Sequence, residues 1–291
     1  MLLLLAVAAA PAFAQQEVEV VATEVGPGLY MITGDGGNIG VSAGEDGVFL
    51  IDDQYAPLTD EIVAVIRGFS DEPIRFVLNT HWHFDHTGGN ENLGEMGALI
   101  VAHDNVRRRM SVEQFIEGLD MTVEPSPESA LPVVTFGQDV TFHLNDLEIH
   151  TFHVEHAHTD GDAIVLFRGA DVIHMGDVYF NGLYPFIDIS SGGSLDGTIT
   201  ATRDALEMIG DETRVIPGHG PLSNKAEMAD YLSMLIQVRA NVTALIEQGL
   251  DRDAVIAAKP SAEWDETWGA QLLSPEQFIG TVYDDLSRRR D

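Results

Sequence analysis

The chain has 291 residues, enough to bury a large core in one domain or two closely packed halves, and 45% of them are hydrophobic, as in an ordinary globular protein. Asp and Glu number 47 against 15 Lys and Arg, giving a formal charge of −32 that repels nucleic acid and anionic membrane surfaces. There is no cysteine, which excludes disulfides, thiolate nucleophiles and cysteine-rich zinc sites and leaves His, Asp and Glu to hold any metal.

Residues 1–14 form an apolar run that ends in Ala12-Phe13-Ala14, the pattern of a secretory h-region with an A-x-A cleavage site. The positively charged n-region is missing, as in a truncated leader. This reading expects a signal peptide over 1–14, then a single domain over 15–291 with a helical C-terminal tail. The mature protein would be periplasmic or secreted, with no membrane anchor after cleavage.

Val18, Val20, Val21, Val25, Leu29 and Met31 predict two short strands turning at Gly26-Pro27-Gly28. Asn38 to Val41 and Val48 to Ile51 follow as strands, the second running into Asp52-Asp53. Leu58, Ile62 and Ile66 recur at helical spacing. The apolar run Phe76-Val77-Leu78 then opens into Thr80-His81-Trp82-His83-Phe84-Asp85-His86-Thr87-Gly88-Gly89. Three imidazoles and a carboxylate crowd this strand end, which neither a core nor a solvated face explains.

A short helix is expected from Asn90 to Met96, a strand over Ala98 to Ala102, and a helix from Asn105 to Leu119. On that helix Arg107-Arg108-Arg109 reads as a solvated face or a counter-charge for acidic neighbours. Met121 to Pro132 reads as a loop between halves. Strands resume at Val140, Glu148, Ala163 and Val172; a helix is expected from Ser194 to Ile209, a strand over Arg214 to Ile216, and a long helix from Lys225 to Gln248. Strands then helices, twice over, predict two mixed sheets packed face to face with helices outside, a four-layer αββα sandwich of the α/β class.

His81 and His83 stand two apart and face one side of an extended chain. Asp85 and His86 are adjacent and diverge, so one tetrahedral ion cannot easily use all four side chains, whereas two neighbouring ions can. Three further candidates lie at other strand ends: His158 in His156-Ala157-His158-Thr159-Asp160-Gly161-Asp162, Asp177 in His174-Met175-Gly176-Asp177, and His219 in Pro217-Gly218-His219-Gly220. His156 competes with His158. His143, His150, His153 and His174 read as packed strand residues, and His103 as the start of a helix.

Taken in order, H-x-H-x-D-H, A-H-T-D-G-D, G-D and P-G-H-G resemble the metallo-β-lactamase superfamily, from about Glu24 to Tyr231. The resemblance implies the αββα fold, with His81, His83 and His158 on a first metal. It implies Asp85, His86 and His219 on a second, Asp177 nearby or bridging, and Asp52 orienting a metal-bound His. Thr159-x-Gly161 follows His158 at the family's spacing and favours His158 over His156. Two Zn²⁺ ions are expected, although Fe and Mn also accept such ligands. They would bring a water to near-neutral pKa for attack on a carbonyl, with Asp85 as the catalytic carboxylate that orients it.

For the substrate, Asp177 stands where some β-lactamases carry Cys, and resembles the bridging Asp of glyoxalase II and lactonases. Phe180 replaces the Lys that clamps a substrate carboxylate in the Cys-bearing enzymes. The β-lactamases with an all-His first site and an Asp-His second site match at every ligand. Their carboxylate contacts are hydroxyls, for which Tyr184, Ser190 and Ser191 are the candidates. The reading is an exported hydrolase of a small molecule, in first place a cyclic amide of the β-lactam type. A lactonase, esterase or thioesterase comes second, and a metal-binding domain without turnover third.

Overall fold

In the computed structural model, which describes residues 18–269 and 271–288, the chain order is first a sheet with its helices, then a second sheet with its own. The leader expected over 1–14 lies outside the described residues. Strands β1 (Val21–Gly26), β2 (Leu29–Thr33), β3 (Ile39–Gly44) and β4 (Gly47–Ile51) form an antiparallel meander. Helix α1 (Thr59–Arg67) then crosses over to β5 (Ile74–Leu78), which pairs parallel to β4. The short helices α2 (Phe84–Thr87) and α3 (Asn90–Glu95) lead to β6 (Leu99–His103), again parallel.

Helix α4 (Asp104–Met110) is shorter than expected. Beyond it the chain forms a hairpin, β7 (Gln114–Ile116) with β8 (Met121–Val123), closed by a 3₁₀ turn over Glu117–Leu119 and a left-handed Asp120. Here strand alternation wins over helical period: Ile116 is buried while Phe115 beside it is exposed. A strand absent from the sequence reading, β9 (Val134–Phe136), completes the seven-stranded first sheet beside β6.

The second sheet has six strands in sequential order: β10 (Asp139–Leu144), β11 (Leu147–His153), β12 (Ala163–Arg168), β13 (Val172–His174), β14 (Arg214–Ile216) and β15 (Ser223–Asn224). Its helices are α5 (Leu195–Met208), α6 (Lys225–Glu247), α7 (Arg252–Ala257), α8 (Asp265–Trp268) and α9 (Pro275–Arg288).

Side-chain alternation sorts the core into layers. Phe49, Ile51, Leu78 and Val101 of the first sheet meet Ile149, Val165, Phe167 and Ile216 of the second, between the sheets. Their alternates Val48, Leu50, Val77 and Ile100 face outward onto Ile62, Ile66 and Leu93 of α1 and α3. On the far side Ile164, Ile173 and Val215 pack against α5, α6 and α9. This is the four-layer αββα arrangement. Buried on both faces, its strands read as continuous apolar runs, and the loops at the carboxyl ends of β4, β5, β13 and β14 gather along one seam.

Candidate metal centre

The seam brings all seven predicted ligands together. Three groups have their donor atoms within 4.8 Å of one another: His81, His83 and His158; His81, His86 and Asp177; Asp85, His86 and His219. His81, His83, Asp85 and His86 follow β5, Asp177 follows β13 and His219 follows β14, while His158 precedes β12. Backbone bonds sew the seam: Thr80 O accepts from Ala163 N–H at 2.8 Å and Gly218 O from Asn38 N–H at 2.7 Å.

The hydrogen bonds on the outer nitrogens fix the tautomers. Thr80 Oγ1 donates to Asp52 Oδ2 at 2.7 Å, so at 3.0 Å it must accept from His81 Nδ1–H. His158 Nδ1–H donates to Phe186 O at 2.7 Å, and His83 Nε2–H to Asp188 Oδ2 at 3.0 Å. His81 Nε2, His83 Nδ1 and His158 Nε2 are therefore bare lone pairs. They nevertheless converge, with separations of 3.1 Å and 2.8 Å from His83 Nδ1 to the other two. Lone pairs so close repel unless a cation lies among them, so these residues fit a metal.

In the second group His86 Nδ1–H donates to Asp52 Oδ2 at 2.8 Å, which turns its Nε2 toward His219 Nε2 at 3.3 Å and Asp177 Oδ1 at 3.1 Å. Asp177 Oδ1 is buried without a hydrogen-bond partner, as expected of an oxygen reserved for an ion. Asp177 Oδ2 lies 3.5 Å from both His158 and His219 and 3.8 Å from His81, so one carboxylate touches both groups.

Electrostatics separate the two groups. Burial pushes His81 well below the usual imidazole range and His158 down to about 4. Burial also opposes charge on His86 and His219, but Asp177 and its neighbouring carboxylates outweigh it, holding His86 well above its ordinary value and His219 up at about 9. Asp85 is likewise disfavoured as an anion by burial, yet His86 and His219 bring its carboxyl down to about 2. His81 and His158 thus offer neutral nitrogens, whereas the second group is ionic.

Asp52 stands where the family resemblance places it. Fully buried in a left-handed conformation (φ 64), it accepts from Thr80 N–H, Thr80 Oγ1 and His86 Nδ1 and so steadies ligands of both groups. His156 is exposed, its Nδ1 donating to Gly192 O, whereas His158 converges with His81 and His83. The His158 loop is pinned by Asp162, which accepts from the N–H groups of His158 and Thr159 at 2.6 Å and 2.8 Å. Arg109 makes a two-point contact with Asp160, the counter-charge role expected for the basic run.

The three candidate substrate hydroxyls are corrected. Tyr184 is fully buried; its ring stacks on Phe278 at 4.4 Å and its hydroxyl donates to Asp265 at 2.8 Å. Ser190 Oγ donates to the Asp188 carboxylate and accepts from Glu117 N–H, and buried Ser191 gives its N–H to the same Asp188. The serines act one step behind the ligands, fixing the carboxylate that fixes His83. Asp188 itself was missed. It stands at no strand end, and Asp-x-Ser-Ser is the signature of a local turn cap, a role it also plays.

The ligands that reach solvent are Asp85 and His219, with side chains about one fifth exposed, so the mouth opens on their side. Phe180 is buried and stacks flat on His219 with centroids 5.3 Å apart, in the place where a Lys clamp was considered. A separate cavity of about 790 Å³ lies between His153–His156 and α5 and is lined by no ligand. Donor chemistry, not volume, marks the site.

The sequence profile described as Metallo-beta-lactamase superfamily matches residues 32–219, a span that holds all seven candidate ligands. The chain belongs to the metallo-β-lactamase superfamily. Among superfamily relatives it is 29% identical to a hydroxyacylglutathione hydrolase of Polaromonas sp. over 171 residues, 58% of this chain and 57% of that protein. It is 20% identical to a Metallo-beta-lactamase type 2 of Bacillus cereus over 192 residues, 65% of this chain and 69% of that one. The fold superposes on the sec-alkylsulfatase Pisa1 of Pseudomonas sp. with a TM-score of 0.68 and 16% identity, over 91% of this chain and 50% of that one. The chain thus spans only about half the length of the hydroxyacylglutathione hydrolase and of the alkylsulfatase.

Proposed function

We propose that this chain is a dinuclear metal-dependent hydrolase, with zinc as the resident metal, that cleaves an uncharged ester, thioester or lactone. The observation that carries the two-metal chemistry is the Asp177 carboxylate, which reaches ligands of both groups at 3.1–3.5 Å. Bound metals supply Lewis acidity and an acidified water. The chain supplies the rest. Five buried ligands keep the floor of the site dry, which strengthens every charge interaction in it. Asp85, a carboxylate about one fifth exposed, stands at the mouth, where it can orient the attacking water and take its proton.

The preference for an uncharged substrate follows from what surrounds the ligands. Among the described residues, the charged groups with the largest effect on His81, Asp85, His86, His158, Asp177 and His219 are carboxylates and imidazoles. Penicillins, cephalosporins and glutathione thioesters carry carboxylates that call for a partner. Of the candidate partners, Tyr184 and Ser190 are committed elsewhere, Ser191 is buried and Phe180 is apolar, so none of these four can receive one. The name of the Polaromonas relative supports acyl chemistry at a carbonyl. Opening of a β-lactam is the second reading, supported by the Bacillus cereus relative and by the all-imidazole first group.

The test is a substrate panel on protein of measured metal content: an alkyl ester, an acyl-homoserine lactone, an uncharged thioester, a chromogenic cephalosporin and a carbapenem. Turnover of the uncharged acyl substrates above the β-lactams is expected. The reverse order would replace the first reading by the second, and metal binding without any turnover would make this a non-catalytic domain. Export belongs to the proposal, and mass spectrometry of the mature N-terminus near Gln15 checks it.

A further inference from the structure

We propose that the hydroxyl of Tyr55 is a catalytic hydrogen-bond donor, contacting the leaving oxygen or sulfur of the substrate on the Asp85–His219 side of the mouth. The assignment rests on the acyl-hydrolase reading of the same site.

Tyr55 is delivered there by a strained turn. After β4 the chain takes left-handed conformations at two non-glycine residues, Asp52 (φ 64) and Gln54 (φ 57), a costly backbone that only its surroundings can hold. Those surroundings are the metal site: Asp52 N–H donates to Leu78 O at 2.8 Å, Asp53 N–H to His86 O at 3.0 Å and Gln54 Nε2 to Gly37 O at 2.8 Å. The turn lies so close to α2 that a Cβ on Gly88 would fall 2.9 Å from Tyr55 Cα. The Tyr55 ring sits 5.9 Å from that of Phe84, the neighbour of Asp85.

Its hydroxyl has no hydrogen-bond partner among the described residues, and the side chain is half-buried. The phenol feels Asp85, Asp35 and His86; burial and then the two carboxylates raise its pKa, so it keeps its proton and remains a donor at neutral pH. Four further donors near the ligands are committed. Asn38 Nδ2 is held by Pro217 O and Gly220 O, Asn181 Nδ2 by Pro221 O and Glu227, and Thr80 and Ser190 by Asp52 and Asp188. A departing alkoxide or thiolate would otherwise face the acceptors Asp35 and Asp85. A neutral phenol beside Phe84 and Asp85 supplies a donor there.

The experiment compares the wild type with Tyr55→Phe, both loaded to equal metal content. The substrates are an alkyl ester and a p-nitrophenyl ester of one acid, because nitrophenolate leaves without help. For Tyr55→Phe, kcat on the alkyl ester should fall roughly tenfold or more with KM unchanged, and kcat on the nitrophenyl ester by less than about twofold. Binding of an alkyl methylphosphonate monoester, followed by calorimetry, should weaken about tenfold. Equal losses on both esters, or no loss, would overturn the assignment. Should the wild type hydrolyse no ester, the acyl reading fails on its own. The phosphonate titration still decides Tyr55, because equal affinity in both proteins, or binding by neither, rejects it.

Discussion

A histidine that ligates through Nδ1 needs a partner to hold its Nε2, and at His83 that partner is the buried Asp188. Asp188→Asn removes the charge that steadies the ring and should weaken the first metal roughly 10- to 100-fold, read by competition with a chromogenic chelator. His83→Ala should lose that metal outright; normal stoichiometry in that variant would reject the ligand set. The two groups should also differ in their protons. Below about pH 9 His219 carries a proton that a second ion must displace, and His86 is also held well above its ordinary value by Asp177 and its neighbouring carboxylates, so affinity there rises with pH up to about 9. His158, depressed to about 4, and His81 are already neutral, so the first ion should bind with little proton release. Calorimetry at neutral pH in buffers of different ionisation heat would show it, and equal proton release in both steps would contradict it. These ligands were legible because each interrupts an apolar strand end. Asp188 was not, because a turn cap and a ligand's support look alike in one dimension. Tyr184 was misjudged because nothing in its neighbours says that the loop around it is buried.

Among the elements, two glycines mark where backbone passes against a ligand. A Cβ on Gly37 would lie 2.0 Å from the His86 ring, and one on Gly218 2.0 Å from Asp177 Oδ1. Gly37→Ala should therefore tilt His86 and cost the second metal while sparing the first, since His81, His83 and His158 lie elsewhere. Metal content after desalting measures this; retention of both ions would show that the loop yields instead. Of the elements, the long apolar strands and α5 and α6 were read to within a residue or two. The hairpin of β7 and β8 lies in the span expected to be helix: Val112 and Ile116 sit four apart, a spacing that a short alternating strand also produces. Strand β9 is three residues long and half exposed, too short to announce itself before β6 is there to pair with it.

At the scale of the whole molecule, a charge of −32 makes the folded chain repel itself, and mobile ions relieve that. The melting temperature should rise by several degrees between about 0.1 and 1 M NaCl; a flat profile would show that the acidic surface carries no such strain. The architecture was legible because two runs of strands followed by helices leave few other ways to bury both faces of both sheets. One consequence belongs to the ownership of the ligands. The first sheet draws on residues 21–136 and the second on 139–224. Neither possesses a finished donor set, for His158 completes a pair supplied by its opposite number and His219 completes another. Cations held there would be rivets between two plates as much as reagents. Starved of them, such a protein is at risk of coming apart along its joint and meeting proteases, so that scarcity governs how long the molecule survives as well as how fast it works.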